Sequence, residues 1–164
     1  DLYLVPHCGG LSGVDVSPEQ LSLARENVPE ADYQLYEGTT LPYPDGSFDV
    51  AFAICVLHHI CVPERLHFVR EMKRVVRPGG CVAVYEHNPL NPLTRLTVAR
   101  CEFDQGVTLV SRRQLGAWFR QTNMQVIRAP YLLLFPWERA FLRRAEEWLR
   151  WLPLGAQYAV WGRL

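Results

Sequence analysis

Residues 13–20, Gly-Val-Asp-Val-Ser-Pro-Glu-Gln, have the pattern of a strand that ends at an aspartate and turns at once into a helix. Ser17 is a good N-cap, Pro18 suits the first helical position, and Gln20 completes a capping box. A strand that leads directly into a helix is typical of a sheet with helices packed on its faces. Two roles stay open for Asp15. It shapes the turn, or it binds the hydroxyls of a nucleotide ribose at the carboxyl end of the strand.

Apolar runs alternate with helical patterns along the rest of the chain, which predicts an α/β fold. The predicted strands are 11–16, 33–36, 48–56, 81–85, 125–135 and 158–164, and the predicted helices are 18–27, 63–76, 111–122 and 138–151. The continuous apolar run 48–56 is typical of a strand that is buried on both faces. Residues 86–92 contain two prolines and predict a loop. We expect the tryptophan-rich helix 138–151 to face the core.

Composition predicts one globular domain over residues 1–164, because 49% of the residues are apolar and 21% are charged. The formal net charge is zero, so we expect no nucleic-acid partner. No apolar run is long enough to span a membrane and no signal peptide is recognisable, so we expect a cytoplasmic protein. Five scattered cysteines without a Cys-x-x-Cys pair predict reduced thiols and no metal site: Cys8, Cys55, Cys61, Cys81 and Cys101.

Three further stretches follow the strand–aspartate–helix pattern. They are Leu-Pro-Tyr-Pro-Asp-Gly-Ser-Phe-Asp-Val at 41–50, Val-Leu-His-His-Ile at 56–60, and Glu-Met-Lys-Arg-Val-Val-Arg-Pro-Gly-Gly at 71–80. In this order and spacing the chain resembles class I S-adenosylmethionine-dependent methyltransferases of the small-molecule, UbiE-like type. The resemblance implies a Rossmann-like three-layer α/β/α sandwich, with a mostly parallel sheet and an antiparallel C-terminal strand. It also implies S-adenosyl-L-methionine as cofactor and a small-molecule methyl acceptor.

The resemblance implies a set of cofactor-binding residues. It assigns the ribose hydroxyls to Asp15, the adenine face to Val16, and the adenine edge to Glu37, Gly38 and Thr39, where a glutamate replaces the aspartate that is usual in the family. Ile54, Cys55 and Val56 would line the methionine arm and the methyl group. For the apolar members of this set, simple packing in the core is an equal alternative.

Glu86 and His87 follow the predicted strand 81–85, at the edge of the sheet where an acceptor would enter. They are the candidate catalytic residues, needed only if the acceptor has a proton to lose. For Glu86 we consider a hydrogen bond to the following loop equally well supported. His58 and His59 are weaker candidates for a base, since such a pair often supports the fold instead.

The chain departs from this family at its amino end. The family's first strand ends in a glycine-rich loop, and the only counterpart here is Leu-Val-Pro-His-Cys-Gly-Gly at 4–10. A βα unit needs about a dozen residues for its crossover, so we expect the first unit to be missing or degenerate in a chain truncated at this motif. Residues 2–5 would then serve as a substitute strand, or the sheet would keep an open edge.

Because half of the cofactor cradle would be lost, we expect weak cofactor binding or none. The resemblance as a whole nevertheless supports methyl transfer to a small molecule. The alternative is a non-catalytic or truncated methyltransferase-like domain that acts as a binding or scaffold module.

Overall fold

The computed structural model describes residues 4–134, 144 and 147–164. The chain divides into two compact units, Asp1–Pro44 and Asp45–Leu164. In the first unit, strand β1 (Ser12–Asp15) pairs in parallel with β2 (Asp32–Leu35), and helix α1 (Pro18–Asn27) connects them. The predicted helix start is confirmed, because the Ser17 hydroxyl accepts a hydrogen bond from the Gln20 N–H.

The second unit is built around a five-stranded sheet with the order β3-β4-β7-β5, and β6 also pairs with β7. Its strands are β3 (Phe48–Ile54), β4 (Val76–His87), β5 (Gln125–Arg128), β6 (Tyr131–Leu132) and β7 (Gln157–Arg163). Its helices are α2 (Arg65–Val75), α3 (Pro92–Arg100) and α4 (Arg112–Gln121). β3 runs parallel to β4, whereas β7 is antiparallel to both of its neighbours, as predicted for the C-terminal strand.

The core of the second unit lies between its sheet and the two helices α2 and α4, which also contact each other. Val82, Val84 and Val160 are fully buried in the two central strands, and Leu115 and Phe119 of α4 are fully buried against them. Burial on both faces explains why these strands are near-continuous apolar runs. Helix α4 lies within the predicted range 111–122 and begins with a complete capping box between Ser111 and Gln114.

Two local features go beyond the sequence prediction. No element was predicted after the loop 86–92, yet residues 92–100 form helix α3, because the Asn91 side chain accepts hydrogen bonds from the Leu93 and Thr94 N–H groups and Pro92 occupies the first turn. The predicted helix 63–76 and strand 81–85 left residues 77–80 unassigned. They lie within β4, where the pairing with β3 shifts register.

The amino-terminal prediction has a mixed outcome. Val5–His7 forms a short 3-10 helix, so residues 4 and 5 are not a substitute strand. An open edge does exist, since β3 ends the sheet order of the second unit. Val50 and Ile54 are exposed by 48% and 57%, so the expected burial of this strand on both faces is wrong. Most of the predicted helix 138–151 lies outside the described residues. Its two described tryptophans, Trp148 and Trp151, are 84% and 70% exposed, so the expectation that they face the core is wrong. Nowhere in the described parts is a helix both long and apolar enough to cross a membrane.

Gly162 in β7 makes the tightest contact between the sheet and α4. A Cβ atom at this position would lie 2.5 Å from the ring of Phe119 and 3.3 Å from Met124. We expect Gly162→Ala to lower the free energy of unfolding by about 1–3 kcal/mol, because the buried ring cannot move without disturbing the core. Urea denaturation measures the change. Gly10→Ala is the matched control and should leave stability unchanged, because its new Cβ would meet no atom within 4 Å and Gly10 has no positive φ.

Candidate functional site

Asp15 lies at the carboxyl end of β1, as predicted, and takes part in the turn into α1. Its Oδ1 accepts a hydrogen bond of 2.8 Å from the Ser17 N–H. Within the described residues the second oxygen, Oδ2, accepts none, and the side chain is partly exposed. The two roles considered for Asp15 are therefore compatible, because the turn engages only one of its two carboxylate oxygens.

The neighbouring residues of the first unit are accessible. Val16 follows Asp15 with 64% of its surface exposed. Glu37, Gly38 and Thr39 follow β2 and are exposed, and Gly38 has a φ of 86°, with room for a further atom around it. The exposed side chain of Val16 offers an apolar surface for a ring, and the second carboxylate oxygen of Asp15 can accept hydrogen bonds from hydroxyl groups. The open turn at Gly38 leaves room beside them. The residues of this unit therefore fit an adenosine group.

In the second unit, Ile54, Cys55 and Val56 occupy the carboxyl end of β3. Ile54 is exposed by 57% and Val56 by 37%, so neither packs simply in the core. Cys55 has a φ of 56°, a conformation that residues other than glycine seldom adopt. Its N–H bonds the carbonyl of Tyr85, and burial raises the pKa of its thiol to about 11. Strained backbone of this kind concentrates at functional sites.

Glu86 is fully buried at the end of β4. Its Oε1 accepts the Leu57 N–H at 2.7 Å, and its Oε2 accepts the Nδ1–H of His58 at 2.6 Å. The alternative of a bond to the loop after β4 is wrong, because both Glu86 oxygens bond residues of the segment after β3. With both oxygens engaged, Glu86 positions the segment that follows β3.

His58 connects Glu86 to Asp104, and its Nε2 lies 3.4 Å from the Asp104 carboxylate. Burial alone would lower the pKa of His58, but the hydrogen bond and charge of Glu86, with those of Asp104, raise it above its ordinary value. The Nε2 of His59 also lies 3.4 Å from Asp104. The ring of His87 is 5.1 Å from that of His58, and burial and His58 together lower its pKa. We call His58, His59, Glu86, His87 and Asp104 the histidine cluster.

Arg65, at the start of α2, holds the segments that carry the histidine cluster. It is 4% exposed, and its guanidinium donates hydrogen bonds to the carbonyls of Ile60, His58 and Thr108. Thr108 lies on the same stretch of chain as Asp104. Arg65 thereby ties the loop after β3 to the segment that follows α3.

Sequence reasoning selected Glu86 and His87 and considered His58 and His59, but it missed Asp104 and Arg65. No spacing pattern connects either residue to the histidines, since the pairing of strands and the path after α3 bring them together. Asp104 lies in a short 3-10 helix, Glu102–Asp104, which the sequence does not predict.

The family of methyltransferase domains matches residues 2–84 of the chain. Among curated relatives, 27-O-demethylrifamycin SV methyltransferase of Amycolatopsis mediterranei is 38% identical over 80 residues, 45% of this chain. An uncharacterised methyltransferase of Synechocystis is 28% identical over 132 residues, 77% of this chain. The matches span 29% and 62% of the lengths of these two relatives.

Among solved structures, an S-adenosylmethionine-dependent methyltransferase from Mesorhizobium loti superimposes with a TM-score of 0.72 at 18% sequence identity. The superposition covers 99% of this chain and 84% of that structure. The predicted Rossmann-like α/β fold is thereby confirmed.

Proposed function

Because the chain belongs to the methyltransferase-domain family, we propose that it transfers a methyl group from S-adenosylmethionine to a small-molecule acceptor. The observation that carries the proposal is the arrangement at Asp15, which stands at the end of a parallel strand with one carboxylate oxygen available. We also propose that residues 1–164 act as one domain.

In the first unit, we propose that Asp15 holds the two ribose hydroxyls and that Val16 packs against the adenine ring. Glu37 would accept the adenine amino group, and the backbone of Gly38 and Thr39 would meet the ring edge. Asp15 is partly exposed, and the other four residues are exposed, so a ligand can reach all five. This accessibility supports the proposed roles.

When bound, S-adenosylmethionine supplies an electrophilic methyl group on a positively charged sulfur. In the second unit, we propose that Ile54, Cys55 and Val56 keep the reacting end dry and aligned. In-line displacement depends mainly on such positioning. The raised pKa of Cys55 keeps its thiol neutral, so it does not compete as a nucleophile.

On the acceptor side, we propose that His87 orients the acceptor and receives its proton when one is lost. Glu86 acts through His58, which it holds by a short hydrogen bond, and is a positioning residue. The relative from Amycolatopsis mediterranei is named for a small-molecule substrate, 27-O-demethylrifamycin SV. This supports a small-molecule acceptor over a protein or nucleic acid.

Calorimetric titration of the chain with S-adenosylhomocysteine tests the proposal. We expect saturable binding weaker than micromolar, because the glycine-rich loop is degenerate. Asp15→Ala should weaken it further, tenfold or more, since a charged hydrogen-bond acceptor is worth about 1.5–3 kcal/mol. Asp15→Asn keeps an oxygen for the Ser17 N–H and separates the loss of charge from a loss of the turn.

Asp32→Ala is the matched control, because it removes an exposed carboxylate from the adjacent strand β2. Affinity should be unchanged by this substitution. If the unmodified chain shows no saturable binding, the proposal fails and the non-catalytic scaffold becomes the better account. Equal losses in the Asp15 and Asp32 variants would also contradict the assignment.

A further inference from the structure

The histidine cluster brings together ligand atoms from three separate segments. One nitrogen of His58, one nitrogen of His87 and one carboxylate oxygen of Asp104 all lie within 4.8 Å of one another. His58 comes from the loop after β3, His87 from the end of β4, and Asp104 from the 3-10 helix after α3. Two imidazoles and one carboxylate form a donor set typical of zinc and other transition metals.

The spacing of the ligand atoms is close to what an ion requires. Ligands held at about 2.1 Å from a tetrahedral ion lie roughly 3.4 Å apart. His58 Nε2 and Asp104 Oδ1 are already 3.4 Å apart. His87 is partly exposed, so a small rotation of its side chain can complete the set.

The surroundings hold the ligands in place. Glu86 accepts the Nδ1–H of His58, which directs Nε2 toward Asp104. Metal-binding histidines commonly donate their other ring nitrogen to a carboxylate in this way. Arg65 fixes the loop of His58 and the segment near Asp104 through backbone carbonyls. The arrangement is therefore built before any ion arrives.

We propose that His58, His87 and Asp104 form a binding site for a divalent transition-metal ion such as Zn²⁺. Three protein ligands leave a tetrahedral ion one position for water or for another oxygen donor. His59, whose side chain is 45% exposed, lies beside Asp104 at the open side of the site. Resting on the proposed function, the open position would take an oxygen atom of the acceptor, and the ion would make that oxygen more acidic, so that its proton passes to solvent at the open side of the site. With the ion bound, His87 would be a ligand and not the proton acceptor.

Titration of the full chain with Co²⁺ in the absence of S-adenosylhomocysteine tests the site, with visible absorption reporting coordination by nitrogen and oxygen. We expect one Co²⁺ per chain, displaced by Zn²⁺. His87→Ala and Asp104→Asn should each weaken Co²⁺ binding at least tenfold. His7→Ala and His67→Ala, which remove exposed histidines outside the cluster, should leave it unchanged.

A second measurement avoids substitutions in the cluster. Zn²⁺ should raise the melting temperature of the unmodified chain, because a ligand that binds only the folded state stabilises it. The proposal is overturned if Co²⁺ binding does not saturate, if it survives both cluster substitutions, or if the His7 and His67 variants lose it equally. In each of these cases the histidine cluster would be a network of ion pairs between side chains that binds no metal ion. Metal binding is measured without cofactor, so its failure is distinct from failure of the S-adenosylhomocysteine titration.

Discussion

Glu86→Ala is expected to lower the free energy of unfolding by about 3–5 kcal/mol, the usual cost of breaking a buried charged pair. The substitution leaves the Leu57 N–H without an acceptor and removes the short bond to His58, while both residues stay buried. His58 would also lose the carboxylate that does most to offset its burial. Urea denaturation followed by circular dichroism measures the effect.

Two further variants complete this experiment: Glu86→Gln isolates the effect of the charge, and Glu64→Ala is the control. Glutamine keeps an oxygen for the Leu57 N–H and loses only the charge, so we expect a smaller cost of about 1–3 kcal/mol. Glu64 is exposed and caps no helix N–H with its side chain, so Glu64→Ala should leave stability unchanged. A Glu86→Ala protein as stable as the Glu64→Ala protein would show that the buried pair does not hold the two strand ends together.

Local signals predicted the parts of the fold that depend on a few adjacent residues. Helix α1 has the predicted bounds, Pro18–Asn27, because Ser17 and Pro18 begin it through contacts within one turn. The same chemistry at Asn91 and Pro92 begins α3, which was not predicted, because these residues stand at the end of the predicted loop 86–92. A cap followed by proline was the signal that could have revealed this helix.

The histidine cluster depends on contacts that no local pattern records. The parallel pairing of β3 with β4 places the end of one strand beside the end of the other, which explains why His58 and Glu86 meet. Both strands are apolar runs that the sequence predicts, and parallel strands end at the same edge of a sheet. The sequence could therefore indicate that the site lies at the edge where β3 and β4 end. The position of Asp104 depends on the chain path after α3, and the sequence gives no corresponding signal for it.

Arg65→Ala is expected to lower the free energy of unfolding by about 2–4 kcal/mol. The guanidinium is nearly inaccessible and satisfies three carbonyls, of which those of His58 and Thr108 belong to segments far apart in sequence. Hydrogen bonds from a charged donor contribute about 1.5–3 kcal/mol, and buried carbonyls left without donors add a penalty. Thermal and urea denaturation measure the loss.

Arg65→Lys separates charge from shape, because lysine keeps the positive charge but lacks the planar fork that reaches several acceptors at once. We expect the lysine variant to lose at least half of the stability that the alanine variant loses. Arg70→Ala is the matched control, since Arg70 lies on the same helix and is exposed. If Arg65→Lys retained full stability, the positive charge alone would account for the contribution of Arg65 to the free energy of unfolding. If Arg65→Ala behaved like Arg70→Ala, the two segments would be held by other contacts, and the histidine cluster would not depend on this arginine for its geometry.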